Sequence, residues 1–441
     1  MAFKTDSQTL NDLRIIIDNK GNDIYSLFNK TATRGGASLL KEMFLYPLSQ
    51  ADEILKRTIT IKYLIDNNIS FPFKTHIFDS IEYYLSNTDE RTRLVAHDNT
   101  LQRKINSLIG SDTDYKQIKK GVTGILQLLI DFNEFINKTN DVFRDVDFNK
   151  DILRILNILD KEEISFFKKL EITNLSYSQI AKYDQLFRFT IHKDILTILR
   201  CAYSIDVFVT VAQVSKELDF SFAEVIEGED NRIEMYSVWH PLVQKAVPND
   251  ITITEKNNMI FLTGANMAGK STFMKTFSIA LYLAHIGFPV PAKAMRFSVQ
   301  NGMYTTINLS DNINLGFSHF YAEVLRVKKV AESVHNSEHL VVVFDELFRG
   351  TNVKDAYEAT VAVANAFAGK SKCSFIISSH IIEAGESLKT LRNNIRFLYL
   401  PTVMKGNTPE YTYKLQEGIT NDRHGMLIIR NEKILDILKD S

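Results

Sequence analysis

Gly264-Ala265-Asn266-Met267-Ala268-Gly269-Lys270-Ser271 fits the pattern G-x-x-x-x-G-K-[ST]. A loop of this kind turns successive backbone N–H groups toward nucleotide phosphates, while its lysine and hydroxyl serve the outer phosphates and a divalent cation. The flanking residues agree. Met259-Ile260-Phe261-Leu262 is a short apolar run that reads as a buried strand. Beyond Ser271, Phe273, Phe277, Ala280, Leu281 and Ala284 recur at helical spacing. Strand, glycine-containing loop and helix together aim the orphan N–H groups of a helix N-terminus at an anion.

Further elements of a nucleotide site follow downstream. Leu340-Val341-Val342-Val343-Phe344 is a continuous apolar run ending in Asp345-Glu346. Such a run is typical of a central parallel strand, and open α/β sheets bind ligands at the C-terminal ends of their strands. Asp345 is placed to hold Mg²⁺, directly or through water, beside the Ser271 hydroxyl. Glu346 is placed to polarise the attacking water. Lys270 offsets charge on the β- and γ-phosphates, and Asn266 can donate a side-chain hydrogen bond. Phosphoryl transfer is mostly positioning plus electrostatics, so these few groups suffice. A third strand, Phe375-Ile376-Ile377, ends in Ser378-Ser379-His380, which makes His380 a candidate γ-phosphate sensor. Between these elements, the polar stretch from Ser310 to Glu323 opens a helix at Ser318, a second position where a helix dipole faces an anion.

The order of these motifs is specific. Gly264–Thr272 is followed by Gly287-Phe288-Pro289-Val290-Pro291-Ala292 and Ser318-x-Phe320-x-x-Glu323. Asp345-Glu346-Leu347-Phe348-Arg349-Gly350-Thr351-Asn352 and Ser379-His380 come next. The series resembles the C-terminal ATPase domain of the MutS mismatch-repair family, with His240-Pro241-Leu242-Val243 similar to the His-Pro signature at its entrance. Upstream, Asn29-Lys30-Thr31-Ala32-Thr33-Arg34-Gly35-Gly36, Leu39-Leu40 and Tyr46-Pro47-Leu48 resemble the start of the family's helical core. Ser204-Ile205-Asp206-Val207 resembles the helix that returns to the ATPase.

The resemblance implies roles residue by residue. Gly264, Ala265, Asn266, Met267, Ala268, Gly269, Lys270, Ser271 and Thr272 form the ATP phosphate loop. Ser271 and Asp345 hold Mg²⁺, and Glu346, His380 and Lys270 are catalytic. Ser318 matches the serine that reaches the partner's γ-phosphate, so the resemblance implies a dimer with composite sites. The family's aromatic contact to adenine has no direct counterpart, because Ala246-Val247-Pro248-Asn249 carries no aromatic. Val247 keeps the position, and Tyr413 on a late strand is a substitute, with core packing as the other reading of that tyrosine.

Departures from the family shape the functional expectation. Core motifs begin near Ile24, which leaves no room in this sequence for the two preceding domains of mismatch-reading members. The interval between Ile136 and Ile195 reads as amphipathic helices, for example Ile152-Leu153-x-x-Leu156-x-x-Leu159, and lacks the paired strands and dense basic residues of a DNA clamp. Phe348 and Asn352 also differ from those members. Lys plus Arg number 52 against 53 Asp plus Glu, a net charge of −1, so no global pull toward a phosphate backbone operates. The basic stretches Arg91–Arg103 and Lys116–Lys120 read as solvated helix faces. Cys201 and Cys373 are too few for a disulfide framework or a metal site.

These features predict a multidomain α and α/β protein. Residues 1–225 form an all-helical core or lever domain, with Ile125-x-x-Leu128-Leu129 supplying one apolar face. The polar turn Glu227–Asn231 marks the boundary, and residues 226–441 form a P-loop ATPase domain of the ABC type, covered by helices on both sheet faces. Lys405-Gly406-Asn407-Thr408 reads as a hairpin turn. No apolar stretch reaches the ~20 residues of a bilayer span, the nearest being Phe277–Val290, which His285 interrupts, and no signal peptide is evident, so a cytosolic protein is expected. The expected activity is ATP-driven dimer closure and lever motion on mismatched or branched DNA, with repair proteins as partners. The alternative is a nucleotide-gated protein scaffold. A small-molecule kinase is the weakest reading, since nothing resembles a lid or an acceptor site.

Overall fold

The computed structural model describes residues 3–17, 21–94, 112–139, 148–170, 172, 175–228, 230–308, 319–405, 408–420 and 437. Helices α1 (Ser7–Asp12), α2 (Ile24–Phe28), α3 (Arg34–Leu45), α4 (Ala51–Asp66), α5 (Phe78–Ser86), α6 (Asp112–Thr139), α7 (Phe148–Leu159), α8 (Tyr177–Gln185) and α9 (His192–Leu218) come first. Strands β1 (Glu224–Val225), β2 (Arg232–Val238), β3 (Asn249–Thr254) and β4 (Met259–Gly264) lead into α10 (Lys270–Ile286). Then come β5 (Ala294–Phe297), β6 (Gly302–Thr306), α11 (His319–His335), β7 (Leu340–Asp345), α12 (Val353–Ala368), β8 (Ser374–Ser378) and α13 (Ile382–Leu391). The series closes with β9 (Ile395–Leu400), β10 (Thr402–Lys405), β11 (Thr408–Tyr411) and β12 (Gln416–Glu417). The architecture is mixed, helical first and α/β after.

Two compact units form, and they interleave along the chain. One comprises Met1–Leu27, Met43–Thr58 and Val214–Ser441, and the other Phe28–Glu42 and Ile59–Gln213. The expected break at 225/226 therefore does not coincide with the contact-defined units. Hydrogen bonds explain the difference. Lys4 bridges Gly302, and Asp12 of α1 accepts from the Thr305 hydroxyl and the Ile307 N–H, both at 2.8 Å. Tyr282 donates to the Phe44 carbonyl at 2.7 Å, and Arg57 to that of Ile286 at 2.6 Å. These residues belong by packing to the α/β unit although they lie in the helical half of the sequence.

In the helical unit, the 28-residue α6 buries Val122, Ile125, Leu129, Phe132 and Ile136. It lies against α5 closely enough that a Cβ on Gly121 would stand 2.2 Å from the Tyr84 ring, so only glycine fits there. Helix α7 buries Ile152, Ile155, Ile158 and Leu159 but leaves Leu153 exposed, a stripe rotated from the expected one. A buried pair joins α8 to the π-helical turn Leu186–Thr190. Arg188 donates to Asp184 at 2.6 and 2.7 Å, and Tyr84 and the Leu94 N–H fill the remaining carboxylate positions. Full satisfaction is what makes a buried ion pair tolerable. Among the described residues between Ile136 and Ile195 there is no strand.

Two distant stretches meet in this unit. Asp206, 1% exposed on α9, accepts from the Ala32 N–H, the Thr33 N–H and the Thr33 hydroxyl at 2.9, 2.9 and 2.7 Å. It thereby satisfies orphan donors at the start of α3. Helix α9 is also the one described helix long and apolar enough to cross a membrane, and 72% of its most apolar stretch is buried inside the protein. This corrects the expectation that no segment reaches that length. Scattered charges such as Arg200 and Asp206 break the run in sequence without making the helix polar, and packing identifies it as a core helix.

The α/β unit is built on a six-stranded sheet of order β12-β9-β4-β8-β7-β6, with all neighbours parallel except β12. A second sheet has the order β1-β5-β2-β3, and β10 pairs with β11 as the expected hairpin. Strand β4 is buried at every residue, as a central parallel strand must be. Phe261, Val342, Phe344, Phe375, Ile377 and Phe367 share one core cluster. The register places Asp345 opposite Ser378 and Ser378 opposite Leu262, so the carboxyl ends of β7, β8 and β4 align at one edge.

Candidate functional site

At that edge stand the loop after β4, Asp345, Glu346 and His380. The loop from Gly264 to Gly269 leaves β4 through positive φ at Gly264 (153°), Met267 (70°) and Gly269 (101°). Gly269 is the N-cap of α10 and has no side-chain cap, so the first N–H groups of that helix are not engaged by a capping side chain. Ala268 is buried beneath the loop, whereas Met267 is 75% exposed. Asn266 and Thr272 are exposed as well. Lys270 is only 6% exposed and donates to the carbonyls of Gly264 (2.9 Å) and Ala265 (3.3 Å). Those two bonds bend its ammonium back over the loop and leave the third donor position for an anion.

Ser271 Oγ donates to Asp345 Oδ2 at 2.5 Å, and the Ser378 hydroxyl donates to Asp345 Oδ1. The carboxylate is thus oriented from two sides. Glu346 follows in a left-handed conformation (φ 54°), its N–H donating to the Ser378 carbonyl at 3.2 Å. Arg349 stands 4.0 Å from Glu346 and 3.9 Å from Glu323 of α11. His380 lies just beyond β8 at the same edge, where Ser379 N–H donates to the Leu262 carbonyl. Its ring is exposed, and among the described residues it makes no hydrogen bond to the other site groups.

Val247 and Tyr413 come together through a residue the sequence had not singled out. The Asn249 carboxamide donates to the carbonyls of Val247 (3.2 Å) and Tyr413 (2.9 Å) and accepts from the Leu415 N–H (2.8 Å). Tyr413 does not sit on a strand as expected. It follows β11 in a left-handed conformation (φ 53°), where the chain turns back toward the phosphate loop. Its ring borders that loop, since a Cβ on Gly269 would lie 3.0 Å from Tyr413 Cδ1. Core packing is excluded for this tyrosine, which is 46% exposed. Burial depresses the Lys275 ammonium, partly offset by Asp12. Burial, with Lys275 and Arg14 nearby, pushes His240 down to about 4.

Two models of one family match successive parts of the chain. Residues 8–224 match the family model "MutS domain III" and residues 260–437 the model "MutS domain V". The chain belongs to the MutS family. Proteins named "DNA mismatch repair protein MutS" are similar to it. The one from Fervidobacterium nodosum is 25% identical over 98% of this chain and 64% of its own length. Those from Fusobacterium nucleatum (25%; 76% of this chain and 40% of the relative) and Persephonella marina (26%; 51% and 26%) match shorter parts. The chain therefore corresponds to less than two thirds of the length of these MutS relatives.

Within the MutS domain V match, the structure brings together the Gly264–Gly269 loop, Asp345, Glu346 and Tyr413. Ser318 lies outside the described residues. The contributions of Ser378 and Asn249 were not legible beforehand, because each acts through strand register or a loop contact. The only sequence signal for Ser378 was a serine ending a buried strand. Both cysteines are buried and free, and burial raises both thiols, in keeping with inert core positions.

Proposed function

We propose that this chain is a Mg²⁺-dependent ATPase of the MutS type that binds DNA and works as a dimer, most simply a homodimer, in the cytosol. The observation that carries the proposal is the Ser271–Asp345 hydrogen bond of 2.5 Å beside the buried Lys270. A hydroxyl and a carboxylate converging at a helix N-terminus form a hard-oxygen donor pair that suits Mg²⁺, which is bound through one or two protein oxygens together with phosphate and water. When bound, the ion supplies charge neutralisation on the phosphate oxygens.

The protein's own groups do the remainder. Lys270 and the loop N–H groups cradle the β- and γ-phosphates, Tyr413 and Val247 border the base, and Glu346 orients water for in-line attack. His380 reads the γ-phosphate, and Ser318 completes the partner's site. ATP binding between two such domains closes the dimer and moves the helical levers; hydrolysis resets them. A two-state element biased by differential nucleotide contacts is all this requires.

Fluorescence anisotropy with labelled homoduplex, single-mismatch duplex and four-way junction tests the DNA component. Nucleotide-free protein, ADP, and ATP with Glu346→Gln are compared over a salt series, because salt sets the electrostatic part of binding. A nucleotide-dependent preference for the mismatch or junction supports the proposal. Weak, equal binding to all three, or none, replaces it with a nucleotide-gated scaffold. Absence of ATP turnover in the unmodified chain removes the ATPase component itself.

A further inference from the structure

The turn that follows β7 is left-handed at two non-glycine residues, Glu346 (φ 54°) and Phe348 (φ 60°). For a bulky side chain this region is a real outlier, because Cβ crowds the backbone carbonyl. Such conformations persist only where the surroundings over-determine them. Helix α11 does so here. Phe348 is 4% exposed, and its ring meets Phe320 in the first turn of α11 edge-on, with centroids 6.1 Å apart at 61°. One turn along, Glu323 accepts from the Gly350 N–H at 3.5 Å and approaches Arg349, which in turn stands 4.0 Å from Glu346. Helix α11 is itself anchored, since Arg326 pairs with Asp6, donates to the Thr306 hydroxyl at 3.0 Å and to the Thr305 carbonyl at 2.7 Å.

We infer that Phe348 is a positioning residue for Glu346: its ring, docked on Phe320, holds the strained turn in the conformation that presents the carboxylate. The contact makes the reactive turn and α11 one mechanical element. The two-residue interval between Glu346 and Phe348 leaves little slack, so loss of the ring releases the turn from α11 and frees the left-handed Glu346 to relax, which displaces its carboxylate. This inference rests on the reading of Glu346 as the water-orienting group of an ATPase.

Steady-state ATP turnover and thermal unfolding are measured for the unmodified chain, Phe348→Gly, Phe348→Ala, Phe320→Ala and the double variant Phe320→Ala/Phe348→Gly. Phe348→Gly removes the ring together with the left-handed penalty, so it is expected to unfold at a temperature no lower than Phe348→Ala. Each single variant is expected to lose about tenfold or more in kcat, with KM within about threefold, as for a displaced reacting group. The double variant is expected to lose no more than the worse single, because both remove one contact. A kcat within about twofold of the unmodified chain in Phe348→Gly overturns the inference, as does a multiplicative loss in the double variant. So does a loss of turnover that merely follows the unfolding temperature. Inactivity of the unmodified chain is a separate result that defeats the ATPase reading first and this inference with it.

Discussion

Ser271 and Asp345, 74 positions apart in sequence, meet through a hydrogen bond of 2.5 Å at the carboxyl edge of the central sheet. Neither the loop nor the strand defines that meeting alone. It depends on β4, β8 and β7 standing in parallel register, which brings the ends of two separate segments level, and on Ser378 turning the carboxylate from its other side.

Asp345→Asn removes the charge from that pair while keeping its shape. Hydrogen bonds to charged groups are worth about 1.5–3 kcal/mol, so the Mg²⁺-dependent part of ATP affinity is expected to fall roughly 10- to 100-fold. Calorimetric titration with ATP, in Mg²⁺ and in a chelator, checks this. Equal affinities for the variant and the unmodified chain in Mg²⁺ would remove Asp345 from the metal site.

Glu346→Gln preserves the turn but removes the basic carboxylate. ATP binding is expected to persist while turnover drops by roughly 10²–10⁴-fold, the usual contribution of a positioned proton acceptor. Single-turnover hydrolysis followed by gel filtration tests both parts, the second expectation being an ATP-trapped dimer. Normal turnover would rule out the assigned role.

Tyr413→Ala opens the rim beside Gly269. If the ring stacks on the base, about 1–3 kcal/mol of nucleotide affinity is lost. Affinity for inorganic triphosphate stays level in that case. Competition between ATP and triphosphate separates the outcomes, and an equal loss for both would assign Tyr413 to holding the loop.

Acid stability reports on His285, buried at 0% exposure between the Leu48 carbonyl (Nδ1, 2.8 Å) and the Gln300 N–H (Nε2, 3.3 Å). Burial pushes this histidine from 6.5 down to about 4. The folded value lies below the unfolded one, so its contribution is complete above about 6.5 and is lost as the pH falls from there to about 4. The full loss is at most roughly 3 kcal/mol. Asp6, held well below the ordinary 3.8 by Arg326 and Lys329 against its burial, loses its contribution only at lower pH. Urea unfolding between pH 4 and 7 is expected to show a shallower pH slope in His285→Gln. An unchanged slope would assign the loss to other groups, His240 first.

Asp206→Ala strands donors of Ala32 and Thr33 at the start of α3. A loss of about 2–4 kcal/mol is expected from several buried donors left unpaired. It appears as a lower urea midpoint by far-ultraviolet circular dichroism, with the slope unchanged. A shift below about 0.5 kcal/mol would mean that water replaces the carboxylate.

How much of this was readable beforehand varies by element. The strand-loop-helix around Gly264–Ser271 and the strands that end at Asp345 and Ser378 are local patterns, and each forms the element read from its residues. The stripe on α7 was misjudged by its rotation because Leu153 and Ile155 are equally apolar, and only the neighbouring helices decide which is covered. Helix α9 was missed as a long apolar segment because isolated charges hide a composition that is apolar over the whole helix. Tyr413 was placed on a strand because Tyr411-Thr412-Tyr413 alternates like one, yet Asn249 captures its carbonyl and turns the chain.

The amino-acid order by itself determined the chemistry available to this protein, since glycine spacing, a lysine-serine pair and acidic strand ends act through backbone geometry within a few residues. Which groups share a site was decided by the tertiary structure. Parallel register set Ser378 and Asp345 side by side, packing drew Met1–Leu27 and Met43–Thr58 into the α/β unit, and α11 came to support a left-handed Phe348. Those are contacts between segments distant in sequence, and no local periodicity encodes a distance across a sheet.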